Sequence, residues 1–447
     1  MKIYFSGIGG SGVSAIAGFM AEKGHAVIGS DRLFDECPGH PVRKRLEANT
    51  VRIVPQDGKG LDRSFSFAVF STAVEQSNPD FLKGQELGIV IKSRPEYLSE
   101  IVSAYRTIAI AGTSGKSTTS GMLAFLLHRL GSSPNFIGGG RVKQFTTEKN
   151  PGNYVSGTSD YLVVEACESD GSIVQYRPEH TVLLNLDLDH HSVGETGMMF
   201  EILSENTSGI ILLNADDWNL KACKIRDAVT FSIDKASDYQ AVDIRYLPLQ
   251  TTFSVYGQDF ILSLPGKHNL YNALACIAVL AELDISLEKI AALLPEFSGI
   301  ERRFDVHLND GKHLVVDDYA HNPHKIQSLM QTMQTIGMRI CYIFQPHGFG
   351  PTRLMKDGYI TTFSNGLRDT DRLIVLPIYY AGGTAAKDIS SEDIAAPVKA
   401  SGRDALALME RDTVFEILGE YDVYVVFGAR DDTLSDLARE IAARLEQ

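Results

Sequence analysis

The sequence predicts an α/β chain in three parts, each built on a largely parallel sheet. Three observations lead there. Short apolar runs alternate with longer helix-compatible stretches along all 447 residues, the pattern left by parallel strands joined through helical crossovers. Two of the strand–helix junctions are glycine-rich, at residues 7–12 and 112–119. After Phe297-Ser298-Gly299 the chain turns polar and a fresh set of strands begins. Roughly 100–200 residues per domain allows two to four domains, and the economical division is 1–97, 98–297 and 298–447.

Taken in order, the first part offers strands at Lys2–Ser6, Ala26–Ile28 and Ala68–Phe70. The second offers Thr107–Ala111, Tyr161–Glu165, Thr181–Leu184 and Gly209–Leu213, with helices predicted over Met122–Leu130 and Leu270–Leu283, which carry apolar residues around a helix. Between Ala236 and Leu264 polar and β-prone residues alternate, which predicts an antiparallel ribbon. The third part offers His313–Val316, Arg339–Phe344, Arg372–Leu376 and Val423–Phe427. Trp218, in Asn214-Ala215-Asp216-Asp217-Trp218, is expected to pack a helix start.

Composition removes several function classes. Hydrophobic residues make up 44% and charged residues 22%, so the chain is neither disordered nor fibrous. Lys and Arg total 42 against 56 Asp and Glu, a net charge of −14 that argues against nucleic-acid and anionic-membrane partners. No stretch approaches the ~18–20 apolar residues needed to cross a bilayer, and the first residues run straight into a glycine loop without a signal-peptide pattern. Cys37, Cys167, Cys223, Cys276 and Cys341 are scattered without CxxC spacing, as expected of buried thiols in a reducing cytoplasm. The oligomeric state is left open.

The first glycine loop, Gly7-Ile8-Gly9-Gly10-Ser11-Gly12, has GxGxxG form directly after a strand, with Ser30 and Asp31 ending the next one. In such a Rossmann-like unit Gly7 makes the turn, Gly9 lets a diphosphate approach the backbone, and Gly12 lets helix and strand pack closely. The helix N-terminus behind Gly10 and Ser11 stabilises the anion, and Asp31 is placed for a ribose hydroxyl or a base N–H. The motif specifies a diphosphate without distinguishing NAD, FAD or a nucleotide-sugar.

The second loop is more specific. Gly112-Thr113-Ser114-Gly115-Lys116-Ser117-Thr118 follows a strand and opens a helix, which is P-loop chemistry. Backbone N–H groups cradle phosphate oxygens, Lys116 reaches the β- and γ-phosphates, and the Ser117 hydroxyl is a magnesium ligand. Binding of ATP or a close relative follows. Magnesium needs further oxygen ligands, and two acidic segments close consecutive strands: Glu165–Asp170, with Glu168, and Asn185–His191, with Asp187, Asp189 and His190. Strand C-termini are where parallel sheets place ligands. No Cys or third His stands at zinc-ligand spacing, so zinc is rejected.

With those residues in place, the chain resembles the Mur ligase family of ATP-dependent amide ligases along essentially its whole length. Further blocks carry the likeness: Gly266-Lys267-His268-Asn269 with Asn272, Arg302-Arg303-Phe304, Asp317–Pro323 and Phe344-Gln345-Pro346-His347. The resemblance implies an N-terminal Rossmann-like domain for the UDP part of the acceptor, a central P-loop domain for MgATP, and a C-terminal Rossmann-like α/β domain for the amino acid. It implies Lys116 at the β/γ-phosphates, Ser117 and Glu168 on one Mg²⁺, and His190 on a second. Asn269 and Asn272 fall around the adenine, Arg303 at the γ-phosphate, Asp318 at the ribose and His347 towards the amino acid. The implied reaction joins an amino acid, L-alanine first among candidates, to the carboxylate of UDP-N-acetylmuramate through an acyl phosphate, in peptidoglycan precursor synthesis.

Departures from the family pattern fall mainly near the amine. Alanine-adding members carry arginines one and four residues after the FQPH histidine, where this chain has Gly348 and Pro351. Ser114 stands for a usual histidine, Cys167 and Ser192 for aspartates, and the AGE and GAGD blocks read Ala381-Gly382-Gly383 and Gly428-Ala429-Arg430-Asp431. Arg353, Lys387 and Arg430 are the candidate replacement cations. A murein-peptide recycling ligase and a diverged ligase using another acid or amine are the sibling alternatives. An NAD(P)-dependent dehydrogenase leaves Lys116 and Arg303 unexplained, and a non-catalytic nucleotide sensor is the third class.

Overall fold

The computed structural model describes residues 1–189, 191–380 and 386–446. They form two compact units, Met1–Arg245 with Gln250–Gly299, and Tyr246–Leu249 with Ile300–Gln447.

The first unit holds two sheets that are parallel apart from one antiparallel edge strand, Tyr154–Val155. Five strands run in the order Arg52–Ile53, Ala26–Ser30, Lys2–Ser6, Phe67–Phe70, Ile91–Ser93. An eight-stranded sheet has Arg106–Ala111 at its centre, between Tyr161–Ala166 and His180–Leu183. One hydrophobic core runs through both: Ile16 and Phe19 of the first glycine-loop helix belong to the same buried cluster as Tyr154, Leu162 and Val164. Gly18 makes room for the Tyr154 ring, whose hydroxyl accepts from Asn49 Nδ2 at 2.7 Å. The helix Arg94–Ala104 runs through residue 97. The first two sequence-level parts are therefore joined by buried apolar surface, the dominant favourable term in such packing.

The predicted ribbon is a three-stranded antiparallel sheet, Val242–Leu247, Gln250–Val255 and Gln258–Leu262. Tyr256 and Gly257, both at positive φ, turn the last hairpin, as a two-residue hairpin loop requires. Tyr239–Gln240 leaves the ribbon and pairs instead with the large sheet.

The second unit holds a six-stranded sheet in the order Asp305–Asn309, Leu314–Asp318, Val423–Gly428, Ile340–Gln345, Arg372–Val375, Asp404–Ala407. Val423–Gly428 pairs in parallel with both Leu314–Asp318 and Ile340–Gln345. Separate apolar clusters cover the two faces of this sheet.

Several expectations need correcting. The stretch predicted over Met122–Leu130 is the far part of the helix that the glycine loop opens at Lys116, which ends at Arg129 with Lys116–Leu127 buried. The strand expected at Gly209–Leu213 is Ile211–Asn214. Gly209 is spent on a tight connection, its N–H donating to Glu179 O at 2.7 Å. Trp218 does not pack: it is 77% exposed, and its neighbours Asp217 and Asn219 bond the Leu186 backbone instead. Edge strands of two to four residues, such as Arg52–Ile53 and Asp404–Ala407, are too short to carry a periodic signal.

Candidate active site

Strand register sets the second glycine loop between the two acidic segments. Ala111 is in register with Ala166 on one side and Leu183 on the other. The loop after Ala111 therefore emerges at the carboxyl edge of the sheet, where ligands of parallel sheets bind. Gly112 (φ 148°) and Gly115 (φ 85°) occupy backbone that side chains rarely adopt. A Cβ on Gly115 would strike the carboxamide oxygen of Asn272, so the buried Asn272 lies against the loop itself. Asn272 Nδ2 donates to Asn269 Oδ1 at 3.4 Å, and Asn269 Nδ2 to Pro265 O at 2.8 Å.

Asn185 fixes the loop. It accepts from the Ser114 N–H at 2.7 Å and returns a bond to Ser114 O at 2.9 Å, while its carbonyl accepts from the Thr113 N–H at 3.1 Å. Thr113 Oγ1 accepts from the Asp187 N–H at 2.9 Å. The helix opens at Gly115 without a side-chain cap, which turns the positive end of its dipole and its first N–H groups towards an anion.

Lys116 is 8% exposed and Glu168 2%. Its ammonium donates to Glu168 Oε2 at 2.9 Å and to Gly112 O at 2.5 Å. Burial alone pushes a lysine down, but the charge of Glu168, with Cys167 and Glu165 beyond it, wins and holds Lys116 above its ordinary value. Lys116 is thus a fixed cation. The Cys167 thiol is pushed up by burial, against Lys116, and contacts Ser169 Oγ at 3.1 Å.

Ser117 is expected beside Glu168, yet its hydroxyl donates to Glu165 Oε2 at 2.9 Å, and the Gly139 N–H meets the same oxygen at 2.8 Å. Among the described residues no group of three or more His, Cys, Asp or Glu stands ready to hold a metal alone. An oxygen-only set of Ser117, Glu165 and Glu168 suits magnesium, which binds through few carboxylates plus phosphate and water. His190 lies outside the described residues, as do Ala381, Gly382 and Gly383.

In the first glycine loop, Gly7 (φ 76°) turns the chain and donates to Ser30 O at 2.9 Å. Asp31 is spent on backbone: Oδ2 accepts from the Gly9 N–H at 2.7 Å, and Oδ1 from the Leu33 N–H at 2.9 Å. The Ser30 hydroxyl donates to Asp80, a fully buried carboxylate that also accepts from Tyr4, Ser6 and the Gly58 N–H. The helix Ser11–Glu22 opens at Gly10 without a side-chain cap, and Gly12 follows in its first turn.

In the second unit, Arg303 sits in a strained turn, with Arg302 (φ 60°) and Phe304 (φ 49°) left-handed on either side. Two neighbouring aspartates fasten it. Arg302 lies 3.6 Å from the buried Asp317, and the Phe304 N–H donates to Asp318 Oδ2 at 2.7 Å. Removal from water pushes the Asp318 carboxyl up to about 6, against its two backbone donors and the charge of Arg303. Gln345 is in register with Gly428, and Asp318 with Phe427, which gathers the loops bearing His321, His347 and Arg430 at one sheet edge. The His347 and His321 rings are 5.5 Å apart. Burial first, then Arg430, holds His347 below its ordinary value and therefore neutral. Arg353 is paired with Asp388, and the Lys387 ammonium stands 5.0 Å from the Tyr380 ring.

Known proteins resemble the chain over nearly its whole length. Mur ligase family, catalytic domain, matches residues 2–106; Mur ligase middle domain, residues 110–280; and Mur ligase, glutamate ligase domain, residues 302–445. A UDP-N-acetylmuramate--L-alanine ligase of Caldanaerobacter subterraneus subsp. tengcongensis is 32% identical over 439 residues, 94% of this chain and 92% of that protein. The chain belongs to the Mur ligase family. Its architecture is that of the family's three α/β parts. The crystal structure of the UDP-N-acetylmuramate-alanine ligase of Thermotoga maritima superposes with a TM-score of 0.82 at 26% identity, covering 100% of this chain and 99% of that one. The ligase for UDP-N-acetylmuramate and L-alanyl-γ-D-glutamyl-meso-diaminopimelate of Neisseria meningitidis has a TM-score of 0.58 at 26% identity, over 67% of this chain and 99% of that one. As a Mur ligase the protein is an ATP-dependent amide-forming enzyme. No helix among the described residues is long and apolar enough to cross a membrane.

Of the residues this site uses, sequence reasoning assigned no role to Asn185, Glu165 or Gly139. Asn185 and Glu165 stand inside the two acidic segments, but their partners lie 71 and 48 residues away in the chain.

Proposed function

We propose that the chain joins L-alanine to the carboxylate of UDP-N-acetylmuramate, with ATP converted to ADP and phosphate. The observation that carries the reading is the buried Lys116, paired with Glu168 at a P-loop, in a chain related over nearly its whole length to an L-alanine-adding ligase. An acceptor carboxylate oxygen attacks the γ-phosphorus, the bond to the β–γ bridging oxygen breaks, and ADP leaves from an acyl phosphate. A neutral amine then attacks the acyl carbon, the tetrahedral intermediate expels phosphate, and the amine proton passes to solvent or a nearby base.

The protein's task is to position reactants and cancel negative charge. Lys116 and the N–H groups after Gly115 receive the transferring phosphate, and Asn185 keeps their loop in place. Glu168 keeps Lys116 charged. Ser117, Glu165 and Glu168 would hold Mg²⁺, which supplies Lewis-acid neutralisation of phosphate oxygens. By family motif, His190 is proposed for a second Mg²⁺, Arg303 for the γ-phosphate, Asp318 for the ribose, and Asn269 and Asn272 for the adenine side. The first glycine loop, with Ser30 and Asp31, is proposed for the UDP moiety. His347, held neutral, is proposed as the polar contact for the incoming amine. The division of labour is proposed along 1–97, 98–297 and 298–447, with residue 97 inside the shared helix Arg94–Ala104, and a cytoplasmic location fits both nucleotide substrates.

Acceptor labelled with ¹⁸O in its carboxylate tests this directly. ADP release should require UDP-N-acetylmuramate, and one label should appear in the phosphate after amide formation. Label-free phosphate, or equal ADP release without acceptor, contradicts it. One observation favours a second reading, addition of a preformed peptide: Gly348 and Pro351 replace the arginines of alanine-adding members. Turnover with L-alanyl-γ-D-glutamyl-meso-diaminopimelate but not with L-alanine would decide for it.

A further inference from the structure

The loop after Tyr161–Ala166 carries two carboxylates, and each holds a cation beside a different glycine loop. Glu168 holds Lys116, as described. Two residues on, Asp170 is paired with Arg94, the first residue of the helix Arg94–Ala104. Arg94 lies against the other nucleotide loop: a Cβ on Gly12 would come within 3.3 Å of its Cδ. The first turn of the Gly10-capped helix contains neither acid nor base, so the loop brings no cation of its own. Arg32, next to Asp31, is 66% exposed and pairs with Glu75. Arg94 and Asp170 are only 22% and 21% exposed, sheltered enough for the pair to matter, yet open enough to be exchanged. Asp170 Oδ1 meanwhile accepts from the Ser172 N–H at 3.0 Å, which leaves Oδ2 for Arg94.

We propose that Arg94 is the cation for the acceptor diphosphate, and that Asp170 holds it in reserve until the diphosphate takes its place. This rests on the reading of the first glycine loop as the UDP site. A guanidinium suits the task, because its planar fork pairs with carboxylate and phosphate alike. The exchange swaps one charge-assisted contact for another, and Asp170 is thereby a competitor of the substrate. Gly12 is kept free of a side chain so that the Arg94 stem passes beside the helix start.

Equilibrium binding of UDP-N-acetylmuramate, UDP and AMP-PNP to the full chain tests it. Arg94→Ala should weaken UDP-N-acetylmuramate and UDP alike by roughly 10- to 100-fold, as expected for loss of a charge-assisted contact. AMP-PNP affinity in the same variant should stay within about three-fold, which also reports that it folds, and Arg94→Lys should recover part of the loss. Asp170→Asn, which keeps an oxygen for Ser172, should tighten UDP binding several-fold. In the Arg94→Ala background it should change UDP binding by less than about two-fold, since Asp170 acts through Arg94. Unchanged UDP binding in Arg94→Ala, a loss confined to UDP-N-acetylmuramate, or weaker binding in Asp170→Asn would each overturn the exchange. Wild-type protein that binds neither UDP ligand would overturn the acceptor reading beneath it as well.

Discussion

The two glycine loops of the first unit solve the same problem with different means. Each follows a central parallel strand and opens a helix at an uncapped glycine, Gly10 in one and Gly115 in the other. The second loop carries its own cation, and Lys116 is buried with Glu168 at 9% and 2% side-chain exposure. The first carries none, and the guanidinium beside Gly12 comes from Arg94, whose partner Asp170 lies 76 residues further along the chain. A cation built into the motif is permanent and desolvated, as phosphoryl transfer requires. A cation lent by a neighbouring helix is exchangeable, as suits a group that binds a substrate without reacting on it.

Removing the built-in cation should have the largest effect. Lys116→Ala should lower acceptor-dependent ADP release by at least ~1000-fold, the scale of a lost transition-state charge contact. Normal turnover would erase the distinction between the loops. Asn185→Ala removes the brace of the second loop only. It should raise the KM for ATP roughly tenfold, as two lost hydrogen bonds predict, and leave the KM for UDP-N-acetylmuramate unchanged.

Acidity separates the loops further. Glu168 and the other charges around Lys116 together override the effect of burial, so metal-free AMP-PNP binding by the wild type should not weaken on account of Lys116 between about pH 7 and about pH 9. In Glu168→Gln the largest charge opposing burial is gone and the lysine pKa falls, so protonated Lys116 is lost as pH rises. AMP-PNP binding should then weaken several-fold across that range, while UDP binding, which relies on an arginine, stays level. A flat profile in Glu168→Gln would show that Glu168 does not set the charge of Lys116.

The smallest contrast is in stability. Gly115→Ala must adopt a left-handed backbone and displace Asn272, at a cost of ~1–3 kcal/mol. Gly12 has an ordinary helical backbone, and a methyl there meets only the flexible stem of Arg94 at 3.3 Å, so Gly12→Ala should cost less than ~1 kcal/mol. Denaturant titration of the two variants gives the comparison.

What could be read in the sequence follows the same line. Gly112, Gly115, Lys116 and Ser117 are legible because their chemistry is local, and the acidic segments because they close adjacent strands. The three-part α/β order was legible from alternating apolar runs. The helix start at Lys116 was legible from the glycine loop, but its burial on all sides was not. Nor was the merger of the first two parts into one core, which depends on Tyr154 meeting Gly18 and Asn49 across more than a hundred residues. Asp31 was legible as an acid beside the first loop, but not the bonds that its two oxygens accept from the Gly9 and Leu33 N–H groups. Arg94 carried no motif at all, because its meaning arises only where Gly12 and Asp170 meet it.

The central claim is that each loop serves its own nucleotide. Binding of AMP-PNP and of UDP-N-acetylmuramate to Lys116→Ala, measured side by side, tests it most directly. AMP-PNP affinity should fall by more than roughly 100-fold, with UDP-N-acetylmuramate affinity within about two-fold of wild type. Loss of UDP-N-acetylmuramate binding with AMP-PNP binding retained, or an equal loss of both in a folded protein, would contradict it.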